Sequence, residues 1–159
     1  MGRWHNQYVD GCVHFCTATV SGWRPLLTAR AISVLYAAWD SARRDLAVRV
    51  LAYVVMPEHF HLLLWAERGA AMRTFLERTL GATSKQLQPG GGFWKERPRV
   101  LPVWSNKVLR AKVDYLHQNP VLRGLVATAE QWMDSSFREI EMGRTDVPFR
   151  CDGWEGMFI

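Results

Sequence analysis

VRVLAYVVMPEHFHLLLW, residues 48–65, predicts two β-strands joined by a tight turn. Its first half, Val48 to Met56, is mostly apolar and rich in β-branched residues, which is typical of a strand. Pro57 and Glu58 interrupt this run, and a second strand is predicted at once from His59 to Trp65. A gap this short between two strands indicates a β-hairpin.

A strand and a helix are predicted upstream of this hairpin. The β-formers between Cys12 and Val20 alternate with other residues, as they do in a strand. Thr28 is a suitable N-cap for a helix that runs to about Arg44. In that helix apolar residues recur at spacings of three and four, so one face is apolar.

Downstream of the hairpin, the pattern predicts a helix, a strand and another helix. The second helix runs from about Ala70 to Leu87. A fourth strand between Phe93 and Trp104 contains prolines, so we expect it at an edge of the sheet. A third helix begins after Ser105 and should end at Asn119, because the residue before a proline avoids the helical conformation.

The order β-α-β-β-α-β, followed by a helix, predicts an α+β fold with a ferredoxin-like sheet and an added C-terminal helix. The length of 159 residues suits one domain, which we assign to residues 1–138. Residues 139–159 lack clear periodicity, and we expect a C-terminal tail that is partly disordered.

Composition narrows the class of protein. A hydrophobic fraction of 48% and a charged fraction of 22% are ordinary for a globular protein. No apolar run approaches the roughly 18 residues needed to cross a bilayer, and the N-terminus has no hydrophobic segment. We therefore expect no membrane association and a cytoplasmic location. Three cysteines are too few for a disulfide scaffold.

Positive charge is concentrated in one part of the chain. The net charge is +5, and from Lys95 to Arg123 there are seven basic residues and two acidic ones. Charge of this kind indicates either a solvated surface or a surface that binds nucleic acid. The candidate DNA contacts are Lys95, Arg97, Lys107, Arg110, Lys112 and Arg123.

Two histidines on the third strand are candidate metal ligands. Side chains alternate along a strand, so His59 and His61 share one face while Phe60 points to the other. The apolar set should face the two long helices, which leaves both imidazoles on the opposite side. They lie about 6.6 Å apart along the strand and could converge on one divalent cation. The alternative is a pair of half-exposed histidines that bind nothing.

The third helix carries further candidates. Tyr115 and Asn119 are four residues apart and therefore share one helical face, together with Lys112. If this helix lies on the open side of the sheet, it brings a phenol and an amide to the two imidazoles. The alternative is that Tyr115 fills a gap in the core, which is common for a helical tyrosine.

Two segments resemble a known family. The segment from Val54 to Leu64 resembles one that carries a histidine–hydrophobe–histidine (HUH) motif. The segment from Tyr115 to Val126 resembles one that carries a catalytic tyrosine. Both are similar to the REP-associated tyrosine transposases, relatives of the single-tyrosine HUH transposases of insertion sequences. Glu58 departs from the family, where asparagine is frequent before the motif.

The resemblance implies roles for individual residues. His59 and His61 would be metal ligands, and Tyr115 would be the nucleophile. Asn119 would complete the metal shell, with Gln118 as the alternative. The family points to Mg²⁺ or Mn²⁺, whereas two imidazoles and an amide would by ligand softness alone favour manganese or zinc.

The resemblance also implies a function. It is metal-dependent cleavage and rejoining of single-stranded, hairpin-forming DNA repeats through a 5′-phosphotyrosine intermediate. We expect no small-molecule cofactor, a monomer or homodimer, and association with the nucleoid of a prokaryote. Two alternatives stay open: a non-catalytic nucleic-acid-binding module on the same framework, and a metal-dependent phosphoesterase that uses water.

Overall fold

A four-stranded antiparallel sheet lies at the centre of the computed structural model, which describes residues 5–154 and residue 157. The strands are β1 (Val13–Thr19), β2 (Arg49–Val55), β3 (His59–Trp65) and β4 (Arg99–Val103), in the spatial order β2-β3-β1-β4. β1 and β2 both run antiparallel to the β3 that separates them, so they are parallel to each other. This is the split βαβ arrangement of a ferredoxin-like fold, and the predicted fold class is confirmed.

Two long helices cover one face of the sheet. They are α1 (Ala29–Leu46) and α2 (Gly69–Leu87). The predicted N-cap of α1 is present, because the Thr28 hydroxyl accepts a hydrogen bond from the Ala31 backbone N–H at 3.4 Å. Trp39, Phe60 and Phe75 are fully buried between helices and sheet. Burial of such large side chains supplies much of the hydrophobic stabilisation of this side.

A third helix, α3 (Asn106–Leu122), covers the other face. The Ser105 side chain caps it by accepting from the Val108 N–H. Leu109, Val113 and Leu116 form its apolar side and pack in a second core cluster with residues of β1, β2, β3 and β4. The face on which the histidines lie is therefore covered by the helix that carries Tyr115.

The predicted end of α3 at Asn119 is wrong, because the helix continues through Pro120 to Leu122. Proline lacks a backbone N–H and costs most in the middle of a helix. Here the helix ends two residues later, and the last carbonyls are paired. The Asn119 carbonyl accepts from Arg123 N–H, and the Pro120 carbonyl accepts from Leu125 N–H.

The chain after α3 returns to the free edge of β2. Val55 N–H donates to the Asp134 carbonyl, and Val50 N–H donates to the Asp152 carboxylate. Between these contacts lies α4 (Phe137–Met142), and Phe149 is buried in the core beneath α1. These contacts cover backbone groups that an edge strand otherwise exposes.

The division into a domain and a partly disordered tail stays a prediction, and residues 155, 156, 158 and 159 lie outside the described residues. Over the described part of the chain, the structure contains no helix with the length and apolar character needed to traverse a bilayer.

Candidate active site

His59 and His61 lie on the face of β3 that α3 covers, as strand alternation predicts. Their ring centroids are 4.8 Å apart, and each residue is only 5% exposed. The strand register sets Thr19 beside His59 and Thr17 beside His61. The two imidazoles are thus held at the hairpin end of the sheet, beneath the last turns of α3.

Each imidazole is oriented through its Nδ1 atom. His61 Nδ1 lies 2.7 Å from the Thr17 hydroxyl oxygen, and His59 Nδ1 lies 3.0 Å from a Glu58 carboxylate oxygen. With hydrogen on Nδ1, each ring donates to that oxygen and keeps the lone pair of Nε2 available. Metal-binding histidines commonly have such partners. Sequence analysis did not identify Thr17 or an orienting role for Glu58.

Both histidines favour the neutral form. Burial, with smaller effects of His59 and Lys112, lowers the pKa of His61 to about 3. Burial also lowers the pKa of His59, although the hydrogen bond and charge of Glu58 oppose that effect. A neutral imidazole is the form that binds a metal ion, so the pair is prepared for a ligand role at pH 7.

Asn119 is the third polar group of this cluster. It is 6% exposed, and its Nδ2 atom lies 3.4 Å from His61 Nε2. Its Oδ1 atom is buried and has no hydrogen-bond partner among the described residues. An unpaired buried carbonyl is costly, and amide oxygen and nitrogen exchange places by a simple rotation. The amide can therefore turn an oxygen ligand toward His61.

This donor set fits a divalent metal ion. Two imidazole nitrogens and one amide oxygen can be offered from His59, His61 and Asn119, and the unpaired oxygen is satisfied if a cation is bound. Within the described part of the chain, no three His, Cys, Asp or Glu side chains form a metal-binding group, so the third protein ligand of a metal site here would be the amide. Gln118 is exposed on another side of α3, and the structure brings Asn119 to the histidines in its place.

Tyr115 lies one helical turn before Asn119, at the edge of the cluster. Its ring centroid is 5.5 Å from that of His61 and 6.1 Å from that of Phe15. It is 45% exposed, so it does not fill a gap in the core. The phenol is thus both close to the imidazoles and open to a ligand that approaches from solvent. Lys112 lies nearby, with its Nζ atom 4.8 Å from the Phe15 ring centroid.

Arg123 joins the end of α3 to the hairpin. Its guanidinium donates to the same Glu58 oxygen that lies beside His59. Burial raises the pKa of the Glu58 carboxyl, but Arg123 and then His59 outweigh it, and the pKa is lowered overall. Glu58 therefore stays ionised, and its ion pair holds the tyrosine-bearing helix against the histidine-bearing hairpin.

The other four predicted DNA contacts are exposed and lie on different parts of the surface. Arg97 lines a groove of about 840 Å³ together with residues of α2, and Arg110 is paired with Asp114 and Glu141. Lys107 is exposed in the first turn of α3. Lys95 is also exposed, and its backbone N–H donates to the Thr19 carbonyl. The structure thus brings Lys112 and Arg123 to the histidines, and DNA contacts of all six residues stay predictions.

Trp23 borders the cluster and was not identified from sequence. Its ring stacks on His59 with centroids 5.0 Å apart and planes at 20°. It is 53% exposed and has a φ angle of 56°, in the left-handed region. That conformation costs about 1–2 kcal/mol for an L-residue. The sequence could not indicate this role, since the contact with His59 joins residues 36 positions apart.

Comparison with known proteins confirms the resemblance stated above. A REP-associated tyrosine transposase of Escherichia coli strain K12 is 27% identical over 156 residues, which cover 96% of this chain and 93% of the relative. A Haemophilus influenzae relative that carries the same family name is 23% identical, with 86% of each chain covered. No protein-family model matches the chain.

Solved structures give the same result. The structure of a REP-associated tyrosine transposase bound to a REP hairpin matches with a TM-score of 0.79 and 25% identity, covering 96% of this chain and 93% of that one. A crystal structure of a Deinococcus radiodurans transposase matches with a TM-score of 0.51 and 21% identity, over 75% of this chain and 95% of that one. The second match supports the fold alone.

Proposed function

Since the chain is a relative of the REP-associated tyrosine transposases, we propose that it cleaves and rejoins single-stranded, hairpin-forming DNA, with Tyr115 as the nucleophile. One observation carries the proposal. A half-exposed Tyr115 lies beside His61, in a cluster that also holds His59 and the unpaired Asn119 amide oxygen. A tyrosine with a purely structural role needs no such neighbours.

His59, His61 and Asn119 would hold a divalent cation, Mg²⁺ or Mn²⁺. When bound, the cation supplies Lewis-acid polarisation of the phosphate and orientation of the scissile bond. The Glu58 carboxylate only accepts, so it favours the tautomer of His59 with hydrogen on Nδ1, and the Thr17 hydroxyl holds the orientation of His61.

The chemistry is an exchange of one phosphodiester for another. The Tyr115 oxygen loses its proton, attacks phosphorus and forms a 5′-phosphotyrosine link, while the bond from phosphorus to the 3′ oxygen breaks. The 3′ oxygen takes up a proton and becomes a free hydroxyl. Because the bond energies are nearly equal, that hydroxyl can attack in reverse, rejoin the strand and release Tyr115 without ATP.

The substrate follows from the relative, whose structure contains a REP hairpin. Lys112, next to Tyr115, supports a nucleic-acid ligand because lysine neutralises backbone phosphate. Every residue of the proposed site comes from one chain, which supports a site completed within a monomer. Action on chromosomal repeats would place the protein at the nucleoid in the cytoplasm.

The test is capture of the covalent intermediate. Labelled hairpin DNA with a single-stranded flank is incubated with Mn²⁺, and the reaction is separated under denaturing conditions. We expect a protein–DNA adduct that Tyr115→Phe abolishes and that Tyr8→Phe, a matched change on the α2 side, leaves intact.

Other outcomes identify the alternatives. Cleavage that survives Tyr115→Phe would support a water-using phosphoesterase, and binding with no cleavage would support a non-catalytic module. Either result contradicts the proposal.

A further inference from the structure

We propose that Trp23 is a stacking site for an unpaired nucleobase, next to the phosphodiester that Tyr115 attacks. The inference rests on the proposed function for its substrate class, single-stranded DNA. It adds a contact with the base, whereas the groups described so far act on the phosphate.

Trp23 is exposed and has a strained backbone conformation, and both features are typical of a ligand site. More than half of this large aromatic side chain is exposed, although it contacts both His59 and Arg123. Its left-handed φ of 56° is a strained conformation for a bulky residue, since glycine or asparagine occupies this region more easily. Strain of this kind concentrates at ligand sites, where a side chain must be presented in one direction.

Trp23 is connected to Tyr115 through the rings of the two histidines. Neighbouring ring centroids are 5.0 Å apart from Trp23 to His59, 4.8 Å from His59 to His61, and 5.5 Å from His61 to Tyr115. Trp23 is therefore at one end of a row of four rings, and the proposed nucleophile is at the other. A strand whose phosphate lies over the histidines has a neighbouring base within reach of the indole.

The chemistry of the contact selects an unpaired base. In a duplex both faces of a base are covered by its neighbours, whereas a single-stranded base offers a free face to an aromatic ring. The Arg123 guanidinium lies over the Trp23 ring, 5.5 Å from its centroid, and adds positive charge there, while more than half of the side chain stays open to a base. Stacking accepts any base, so the contact would fix the position of the strand and not its sequence.

The experiment combines a protein change with removal of single bases. Binding of hairpin DNA with a single-stranded flank is measured in a Tyr115→Phe background, so that failure of cleavage and failure of stacking are separate results. The DNA carries one abasic position at a time across the flank and the cleavage site. Loss of a stacked base weakens binding by roughly 5- to 150-fold.

We expect Trp23→Ala to weaken binding of intact DNA by that factor, and to have no further effect when one particular base next to the cleavage site is missing. Trp104→Ala is the matched control, since Trp104 is 65% exposed and precedes the first turn of α3, which begins at Asn106, about 20 Å along the helix from Asn119. The proposal would be overturned if Trp23→Ala weakened binding equally on every abasic DNA, or if it did not weaken binding of intact DNA.

Trp23→Asn separates stacking from a structural role. Asparagine tolerates the left-handed conformation, so this variant relieves backbone strain while it removes the aromatic ring. We expect thermal stability to be kept and DNA binding to be weakened as in Trp23→Ala. Binding equal to that of the parent protein, with the fold intact, would overturn the proposal.

Discussion

Phe60 and His61 are neighbours on β3, but they lie in opposite environments. Phe60 packs against α1 and α2 in an apolar core, whereas His61 lies beneath α3 and meets Thr17 and Asn119. On the first side, burial of apolar surface stabilises the fold. On the second, buried polar groups include the unpaired oxygen of Asn119, which costs stability. The contrast separates a face that is apolar around Phe60 from a face where an apolar core beneath α3 borders the polar cluster to which we assign the proposed chemistry.

The largest effect should come from the apolar face. Phe60→Ala removes a fully buried ring that contacts Trp39 and Trp94, and we expect it to lower the free energy of unfolding by about 3–5 kcal/mol. Urea unfolding followed by circular dichroism measures this. A loss below 1 kcal/mol would show that this face does not dominate stability.

His61→Ala should affect cleavage strongly and stability less. Because it removes one proposed metal ligand, we expect cleavage in Mn²⁺ to fall by about 100- to 1000-fold. The free energy of unfolding should fall less than in Phe60→Ala, because the imidazole that is lost buries less apolar surface than a phenyl ring; the Thr17 hydroxyl and the Asn119 amide each lose a partner, which offsets part of that difference. Wild-type cleavage in this variant would refute the assignment of His61.

A smaller effect is expected from Thr17→Val, which keeps the shape of the side chain but removes the hydroxyl at His61 Nδ1. We expect Mn²⁺ affinity, measured by titration calorimetry, to fall about 10- to 100-fold. The matched control is Thr79→Val on α2, a buried threonine whose hydroxyl donates to the Phe75 carbonyl. Equal effects of the two changes would contradict an orienting role for Thr17.

Acid should lower the free energy of unfolding of the metal-free protein through His117, a buried histidine on α3. Burial, with a smaller effect of Arg110, lowers the pKa of His117 to about 4, whereas an unfolded histidine titrates near 6.5. Between these pH values the unfolded chain binds the proton more readily than the folded protein. The contribution of His117 to the free energy of unfolding is therefore fully present above pH 6.5 and is lost as the pH falls toward 4. We expect a loss of about 1–2 kcal/mol at pH 5 from this histidine.

His117→Gln tests that pH dependence, because glutamine cannot titrate but can still hydrogen-bond Ser136. Urea unfolding at pH 5 and pH 7, in EDTA, should show a smaller difference for this variant than for the parent. An unchanged difference would exclude His117 as its source.

The smallest effect is expected at the cap of α1. Thr28→Ala removes the side-chain acceptor for the Ala31 N–H and should cost about 1 kcal/mol of stability. Cleavage should stay unchanged, because α1 packs on the apolar face. If cleavage also fell under conditions where the variant is folded, the conclusion that changes on the α1 side affect only stability would be contradicted.

Local patterns predicted much of this molecule. The bounds of β3, the caps Thr28 and Ser105, and the shared face of the two histidines depend on side-chain alternation and capping chemistry within a few residues. The end of α3 was not predicted, because it depends on where the Asn119 and Pro120 carbonyls find donors, which are the N–H groups of Arg123 and Leu125. That outcome involves residues after the helix and not its own pattern.

By itself, the sequence determined the order of elements, the apolar faces and the candidate identities of His59, His61 and Tyr115. The pairing of Thr17 with His61, the ion pair between Glu58 and Arg123, and the stacking of Trp23 on His59 were decided only by tertiary structure. The physical reason is distance along the chain. Periodicity acts between neighbours in sequence, whereas these contacts join segments up to 65 residues apart through strand register and helix packing.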